Sequence, residues 1–150
     1  MRSNMDARSI PPGRMTADEI TALLDREFPQ LLVDGRSYVI EAADHGFARM
    51  RLCYHARHLR PGGTISGPSM FALADLCLYV AILASIGPVV LTVTTNLNIN
   101  FMRKPAPADL VGTCRLLKLG KRQAVGEVAI CPEGSEDLVA HATGTYALPE

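Results

Sequence analysis

Net charge is missing from this sequence, in which fifteen lysines and arginines are matched by fifteen aspartates and glutamates. Without a basic surplus there is no global field to gather a polyanion, so nucleic acid is not an expected partner. Paired cysteines are missing too. Cys53, Cys77, Cys114 and Cys131 are dispersed, with no C-x-x-C, which points away from a zinc cage or a disulfide framework and toward reduced, mostly buried thiols. Residues 1–14 lack the apolar run of a secretory signal. Arg2, Arg8 and Arg14 with two serines have the flavour of a transit peptide, but Asp6 and the prolines at 11 and 12 work against an amphipathic helix. The expectation is a disordered tail over residues 1–15, one domain over residues 16–150 and a cytoplasmic protein. Charge itself is sparse, 20% of residues against 48% hydrophobic, which is not the composition of a disordered chain. A domain of this length hides only about two-thirds of its unfolded surface by itself. The apolar excess therefore predicts an interface between copies.

What is present falls into recognisable elements. Thr16 and Glu19 form a capping box ahead of Ile20, Leu23 and Leu24, which predicts a short helix ending near Phe28. Residues 38–42 and 47–54 alternate apolar and polar around Asp44-His45-Gly46, the pattern of a hairpin. After a loop rich in glycine and hydroxyls, residues 70–86 are almost wholly apolar until Gly87-Pro88, which predicts a long central helix. Leu91, Val93, Leu97, Ile99 and Phe101 then share one parity, while Thr92, Thr94, Asn96, Asn98 and Asn100 share the other, so a strand with one wet face is expected. Further strands are read over residues 110–119, 123–131 and 138–148, with no repeat. This order is α+β, an antiparallel sheet wrapped around one long helix. Residues 76–93 number enough, roughly 18, to be read as a membrane span. However, Ser85 and Gly87-Pro88 interrupt them, no basic flank sits at either end, and the polar-alternating strand could not cross alone, so no membrane partner is expected.

One residue breaks the apolar stretch. Between Arg60 and Arg103 the only carboxylate or base is Asp75, inside Ala72-Leu73-Ala74-Asp75-Leu76-Cys77. A carboxylate on a buried helix is costly unless it is hydrogen-bonded, paired or open to a wet pocket. Such positions are candidate active-site acids or bases. The plainer alternative is a structural bond to Tyr79, one turn on, or a solvent-facing position. Upstream, Ser66 reads as an N-cap, Gly67 permits close approach of a ligand, and Pro68 falls in the first turn, where its missing N–H does no harm. The free N–H groups there suit an anion or a developing oxyanion.

The combination of Gly63-Thr64-Ile65-Ser66-Gly67-Pro68, Asp75, Asn98-Ile99-Asn100-Phe101-Met102-Arg103, Gly120-Lys121-Arg122 and Ala140-His141-Ala142-Thr143-Gly144-Thr145-Tyr146 resembles the PaaI-like acyl-CoA thioesterases of the hotdog fold, over residues 36–148. The resemblance implies dimers or dimers of dimers and hydrolysis of a coenzyme A thioester. It implies that Asp75 is general base or nucleophile and that the Gly67 N–H polarises the thioester carbonyl. The family's Asn-x-x-Gly-Thr-x-His-Gly-Gly departs here at Arg60, Ser66 and Pro68; Ser66 and Arg60 can still hydrogen-bond a thioester or a bound water. Thr94 matches a strand position lining the pocket beside the Asp. Lys121 and Arg122, with Arg103 and Lys104, fall where the family meets the nucleotide and phosphates of coenzyme A. Hydration on the same fold needs a histidine in the loop or on the long helix, and His45, His55, His58 and His141 are elsewhere. Cys53, His55 and His58 lack a fourth ligand, so no metal is expected, and no cofactor beyond the coenzyme A of the substrate.

The implied reaction is acyl-CoA hydrolysis. The alternative is a non-catalytic acyl-CoA-binding or sensing dimer, which turnover assays distinguish. With no tryptophan and few aromatics, Phe71, Leu78 and Tyr79 are compatible with an aryl or a medium aliphatic acyl group. Gly67 and Asp75 are eight residues apart, about 12 Å of helical rise, so one thioester cannot meet both on one helix. If both act, they come from different chains, and two helices antiparallel across a two-fold axis would form two equivalent sites.

Overall fold

The computed structural model describes residues 15–33, 35–55, 64–89 and 91–149. The expectation of a disordered tail therefore concerns residues almost wholly outside those described. Helix α1 (Ala17–Glu27) starts as its sequence dictates. The Thr16 hydroxyl accepts from the Glu19 N–H at 3.2 Å, and the Glu19 carboxylate accepts from the Thr16 N–H at 2.9 Å. A 3-10 turn, Pro29–Leu32, follows. Strands β1 (Tyr38–Asp44) and β2 (Phe47–Leu52) form the hairpin, turning at Gly46, whose φ of +70° favours glycine.

Helix α2 (Gly67–Ile86) begins one turn earlier than its apolar run, because Ser66 caps it and Pro68 fits its first turn. It stops at Gly87, with φ +96°. Four strands follow: β3 (Val93–Phe101), β4 (Leu110–Leu119), β5 (Gln123–Pro132) and β6 (Ala140–Ala147). All six strands join one antiparallel sheet in the order β1-β2-β4-β5-β6-β3, which leaves β1 and β3 as its edges. The long helix packing on this sheet is the hotdog arrangement.

Helix α2 is long and apolar enough to cross a membrane, yet 67% of its apolar window is buried within the fold. Every residue from 77 to 85 is buried inside the single chain, so that half needs no second copy to cover it. The open part is the N-terminal half, where Phe71 is 41% exposed. The helix lies close because the sheet beneath it is stripped of side chains. Gly126 and Gly144 face each other on β5 and β6, and a Cβ added at either would stand 2.6 or 2.7 Å from a Leu78 methyl. Gly112 on β4 makes the same room for Leu73. Ser85, fully buried, pins the far end: its hydroxyl donates to the Ala81 carbonyl and accepts from the Gly46 N–H, both at 2.7 Å.

Strand β3 departs from the alternation. A bulge falls between Thr94 and Asn96, so parity flips there: Thr94 pairs with Tyr146, and Leu97 with Gly144, all four on the helix side. The wet face begins only after the bulge, with Asn96, Asn98 and Asn100. The inner face is not dry either, since Phe101 is 51% exposed.

Of the four cysteines, Cys77 and Cys114 are buried and Cys53 and Cys131 only half-buried, so burial is less complete than composition implies. Desolvation pushes the Cys114 thiol up to about 12 and that of Cys77 well above its usual range, which leaves both unreactive. Because the glycine pair sets the helix-to-sheet distance, Gly126→Ala should cost about 1 to 3 kcal/mol through overpacking against Leu78 and Leu116. Equilibrium denaturant unfolding measures it; an unchanged midpoint would show that the helix can shift freely.

Candidate active site

Asp75 projects from the middle of α2 toward the bulged end of β3. Its Oδ1 accepts from the Thr94 hydroxyl at 2.8 Å and from the Tyr146 hydroxyl at 2.6 Å; the same phenol oxygen lies 3.0 Å from the Asp75 carbonyl. The carboxylate is half-buried and opens into a cavity of about 390 Å³. Leu24, Phe28 and Leu31, from α1 and the turn after it, form one wall, while Leu76 and Tyr79 of α2 and Val93 of β3 form the others. Tyr79 is stacked on Tyr146, with centroids 6.1 Å apart, and meets Phe28 edge-on at 5.9 Å. An apolar chamber with one carboxylate at its wall accepts an acyl group and holds a base beside the carbonyl carbon.

A second cavity, about 320 Å³, lies at the start of α2. Gly67 lines it with Thr64 and Ile65, opposite Phe101, Arg103 and Lys104. Its helix N-terminus offers the Gly67 N–H beside two cations, since Pro68 has no N–H and those of Ser69 and Met70 are bonded to Ser66, a setting for an anion. The two cavities share no lining residue, so within one chain Gly67 and Asp75 serve separate chambers.

Of the expected site residues, the structure brings Thr94 to Asp75 and leaves Gly67 at the other cavity. Ser66 is committed to its helix: the hydroxyl accepts from the Ser69 N–H at 3.2 Å and donates to the Ser69 hydroxyl at 2.9 Å. Arg60 lies outside the described residues, as does His58. Lys121 and Arg122 line neither cavity. They sit exposed in the β4–β5 turn, where the Arg122 carbonyl accepts from the Leu148 N–H at 2.8 Å, just past the end of β6. Of the helix residues read as acyl contacts, only Tyr79 lines the Asp75 chamber. Leu78 is spent on the glycine pair, and Phe71 lies outside that lining. Among the described residues, no three His, Cys, Asp or Glu side chains come together as a metal-binding group.

Tyr146 is the residue that sequence reasoning missed. The signal was its inward parity in β6, where Ala140, Ala142 and Gly144 are small and the fourth position alone carries a large side chain with a polar tip. Strict alternation assigns Thr94 to the wet face, and only the family resemblance pointed to its place beside Asp75; the bulge explains the difference.

The sequence profile of the thioesterase superfamily matches residues 62–139. A provisionally assigned thioesterase from Silicibacter sp. is 46% identical over 92% of this chain and 96% of its own, with a TM-score of 0.81. The phenylacetic acid degradation protein PaaI of Thermus thermophilus, in a mutant form, is 27% identical over 81% of this chain and 98% of its own, TM-score 0.68. Zebrafish thioesterase superfamily member 2 shares the fold at 23% identity, covering 90% of this chain and 99% of its own, TM-score 0.76. No curated protein matches the sequence significantly. The chain belongs to the thioesterase superfamily and is a PaaI-like thioester hydrolase. Its Ser66, however, has a capping task that a hydrolytic role would have to share. Ser66→Ala should therefore lower stability by about 0.5 to 2 kcal/mol and leave most turnover in place. Unfolding curves and initial rates on the same preparation check both halves, and a folded but inactive Ser66→Ala would give the hydroxyl a direct chemical part.

Proposed function

We propose that the protein hydrolyses acyl-CoA thioesters at a site shared between two copies of the chain, with Asp75 as the base or nucleophile. The observation that carries this reading is the Asp75 carboxylate, held by two hydroxyls at the wall of an apolar chamber. The acyl group occupies that chamber. Water attacks the carbonyl carbon as Asp75 takes its proton; the tetrahedral oxyanion collapses, and the proton returns to the departing coenzyme A thiolate. Direct attack by the carboxylate gives an anhydride that water then opens, with the same products, a carboxylic acid and free coenzyme A. The chemistry needs no cofactor beyond the coenzyme A of the substrate. We place it in the cytoplasm, where free thiols and coenzyme A coexist.

The oxyanion donor is the Gly67 N–H of a second copy. Edge strand β3 is paired on one side only. Its two ends border the two cavities, Thr94 at one and Phe101 at the other. Antiparallel pairing of this edge with its copy across a two-fold axis sets the Asp75 chamber of one chain against the Gly67 chamber of the other. Arg103 and Lys104 then flank the route by which coenzyme A leaves the joint site, with charge suited to its phosphates. Lys121 and Arg122, past the end of β6, are the second basic pair on that side. A dimer, alone or doubled, is thus the catalytic unit.

Asp75→Asn should abolish hydrolysis across short, medium, long and aromatic acyl-CoAs while leaving the fold and oligomer intact. A well-folded Asp75→Asn with wild-type kcat ends the mechanism. Mixing it with Gly67→Val, whose side chain closes the N–H, should restore about a quarter of the wild-type activity, because about half of a randomly exchanged mixture is heterodimer and each heterodimer has one of its two sites intact. Recovery of nothing from a mixture shown to exchange subunits would place both residues in the same chain's site.

A further inference from the structure

The two hydroxyls on Asp75 reach the same oxygen. Thr94 and Tyr146 both approach Oδ1, and no donor among the described residues is placed on Oδ2. The Tyr146 ring is wedged against Tyr79, itself braced edge-on by Phe28, so the phenol has little freedom to swing away. Its backbone is equally fixed, since Tyr146 pairs with Thr94 on β3 and Ala124 on β5. We infer that Tyr146 is a positioning residue that, together with Thr94, clamps Oδ1 of Asp75 and reserves Oδ2 as the oxygen that takes the proton or attacks.

This assignment rests on Asp75 being the reacting carboxylate, and it says which of its oxygens reacts and why. A free carboxylate at a helix surface rotates about its last bond and exchanges its oxygens. Two donors from different strands, converging on one oxygen, stop that rotation and leave the other oxygen's lone pairs unclaimed at the chamber wall. Burial, with the negative charge of Asp75 beside it, pushes the Tyr146 phenol well above the usual tyrosine range, so it stays protonated and donates throughout the working pH range. The titratable groups facing Asp75 across the chamber are Tyr146 of β6 and Tyr79 of α2, the latter also feeling Glu27. Strand β3 brings the hydroxyls of Thr92 and Thr94, and the N-terminal wall brings Leu24, Phe28 and Leu31, none of them ionisable.

Tyr146→Phe keeps the ring and its stacking and removes only the donor. Hydrolysis should fall about 10- to 100-fold in kcat with KM changed little, the loss expected for a hydrogen bond to a charged group. A 3-fluorotyrosine at position 146, a donor of nearly the same shape, should keep kcat near the wild-type value. A merely structural tyrosine would lower the melting temperature and leave kcat of the folded variant where it was. The proposal is overturned if folded Tyr146→Phe keeps wild-type kcat, or if its loss falls on KM alone. Should Tyr146→Phe fail to fold, Thr94→Val, which removes the other donor to Oδ1, decides by the same kcat and KM readout. An active Asp75→Asn sinks the underlying reading of Asp75, whereas an inert Asp75→Asn beside a fully active Tyr146→Phe sinks only the positioning role.

Discussion

The close seating of α2 on its sheet is the constraint from which the rest of the molecule follows. A helix usually rests on its sheet through an intervening layer of side chains. Here Gly112, Gly126 and Gly144 remove that layer along the line of contact, and Leu73 and Leu78 drop into the space they leave. The depth of this contact decides where Asp75 stands. Three residues before Leu78, it comes level with β3 and β6, where the short hydroxyl of Thr94 and the phenol of Tyr146 both reach it. A bulkier residue at Gly144 would lift the helix from the strand pair that carries Thr94 and Tyr146. The packing of the core and the chemistry of the site are the same contact seen from two sides.

A carboxylate in such a place has to be compensated locally, and the fold does so without a cation. No salt bridge reaches Asp75 among the described residues; two neutral donors serve instead. The distinction matters for function. A lysine or arginine partner would hold the charge more tightly and occupy more of its surface, while hydroxyls satisfy one oxygen and leave the other available. Arginine pairing is used elsewhere in the chain, on the far side of the sheet, where Arg51 gathers Glu41 at 2.6 Å, Glu133 at 2.8 Å and Asp109 at 3.0 Å to tie strands together.

How far the sequence revealed this can be traced residue by residue. The capping box at Thr16, the cap at Ser66 and the stops at Gly46 and Gly87 were readable because each depends on a few neighbouring residues. Asp75 was readable because it is alone among apolar neighbours. The bulge at Thr94 was not, because one extra residue in a ladder is fixed by the partner strand, and the local pattern of threonines and asparagines continues through it unbroken. Tyr146 was hidden for a similar reason: its importance lies in a contact with a residue 71 positions away. The chamber's third wall, built from Leu24, Phe28 and Leu31, came from a segment whose periodicity announces a helix and says nothing about where it docks.

Part of the exposed apolar surface of the single chain lies where the site is incomplete. Val93 and Phe101 on β3, and Phe71 and Met102 near the start of α2, are each more than 40% exposed, although residues 77–85 of α2 are sealed. A sheet edge with unpaired backbone groups and large apolar side chains beside it is a liability for an isolated chain and an invitation to a copy. The Asp75 chamber has a base and no backbone donor at a helix start; the Gly67 chamber has the donor and the cations and no base. Pairing along β3 would cover the apolar edge and bring each chamber what it lacks. The same strand that carries the bulge for Thr94 at one end carries Phe101 over Gly67 at the other, so a single edge contact can settle both the assembly and the chemistry.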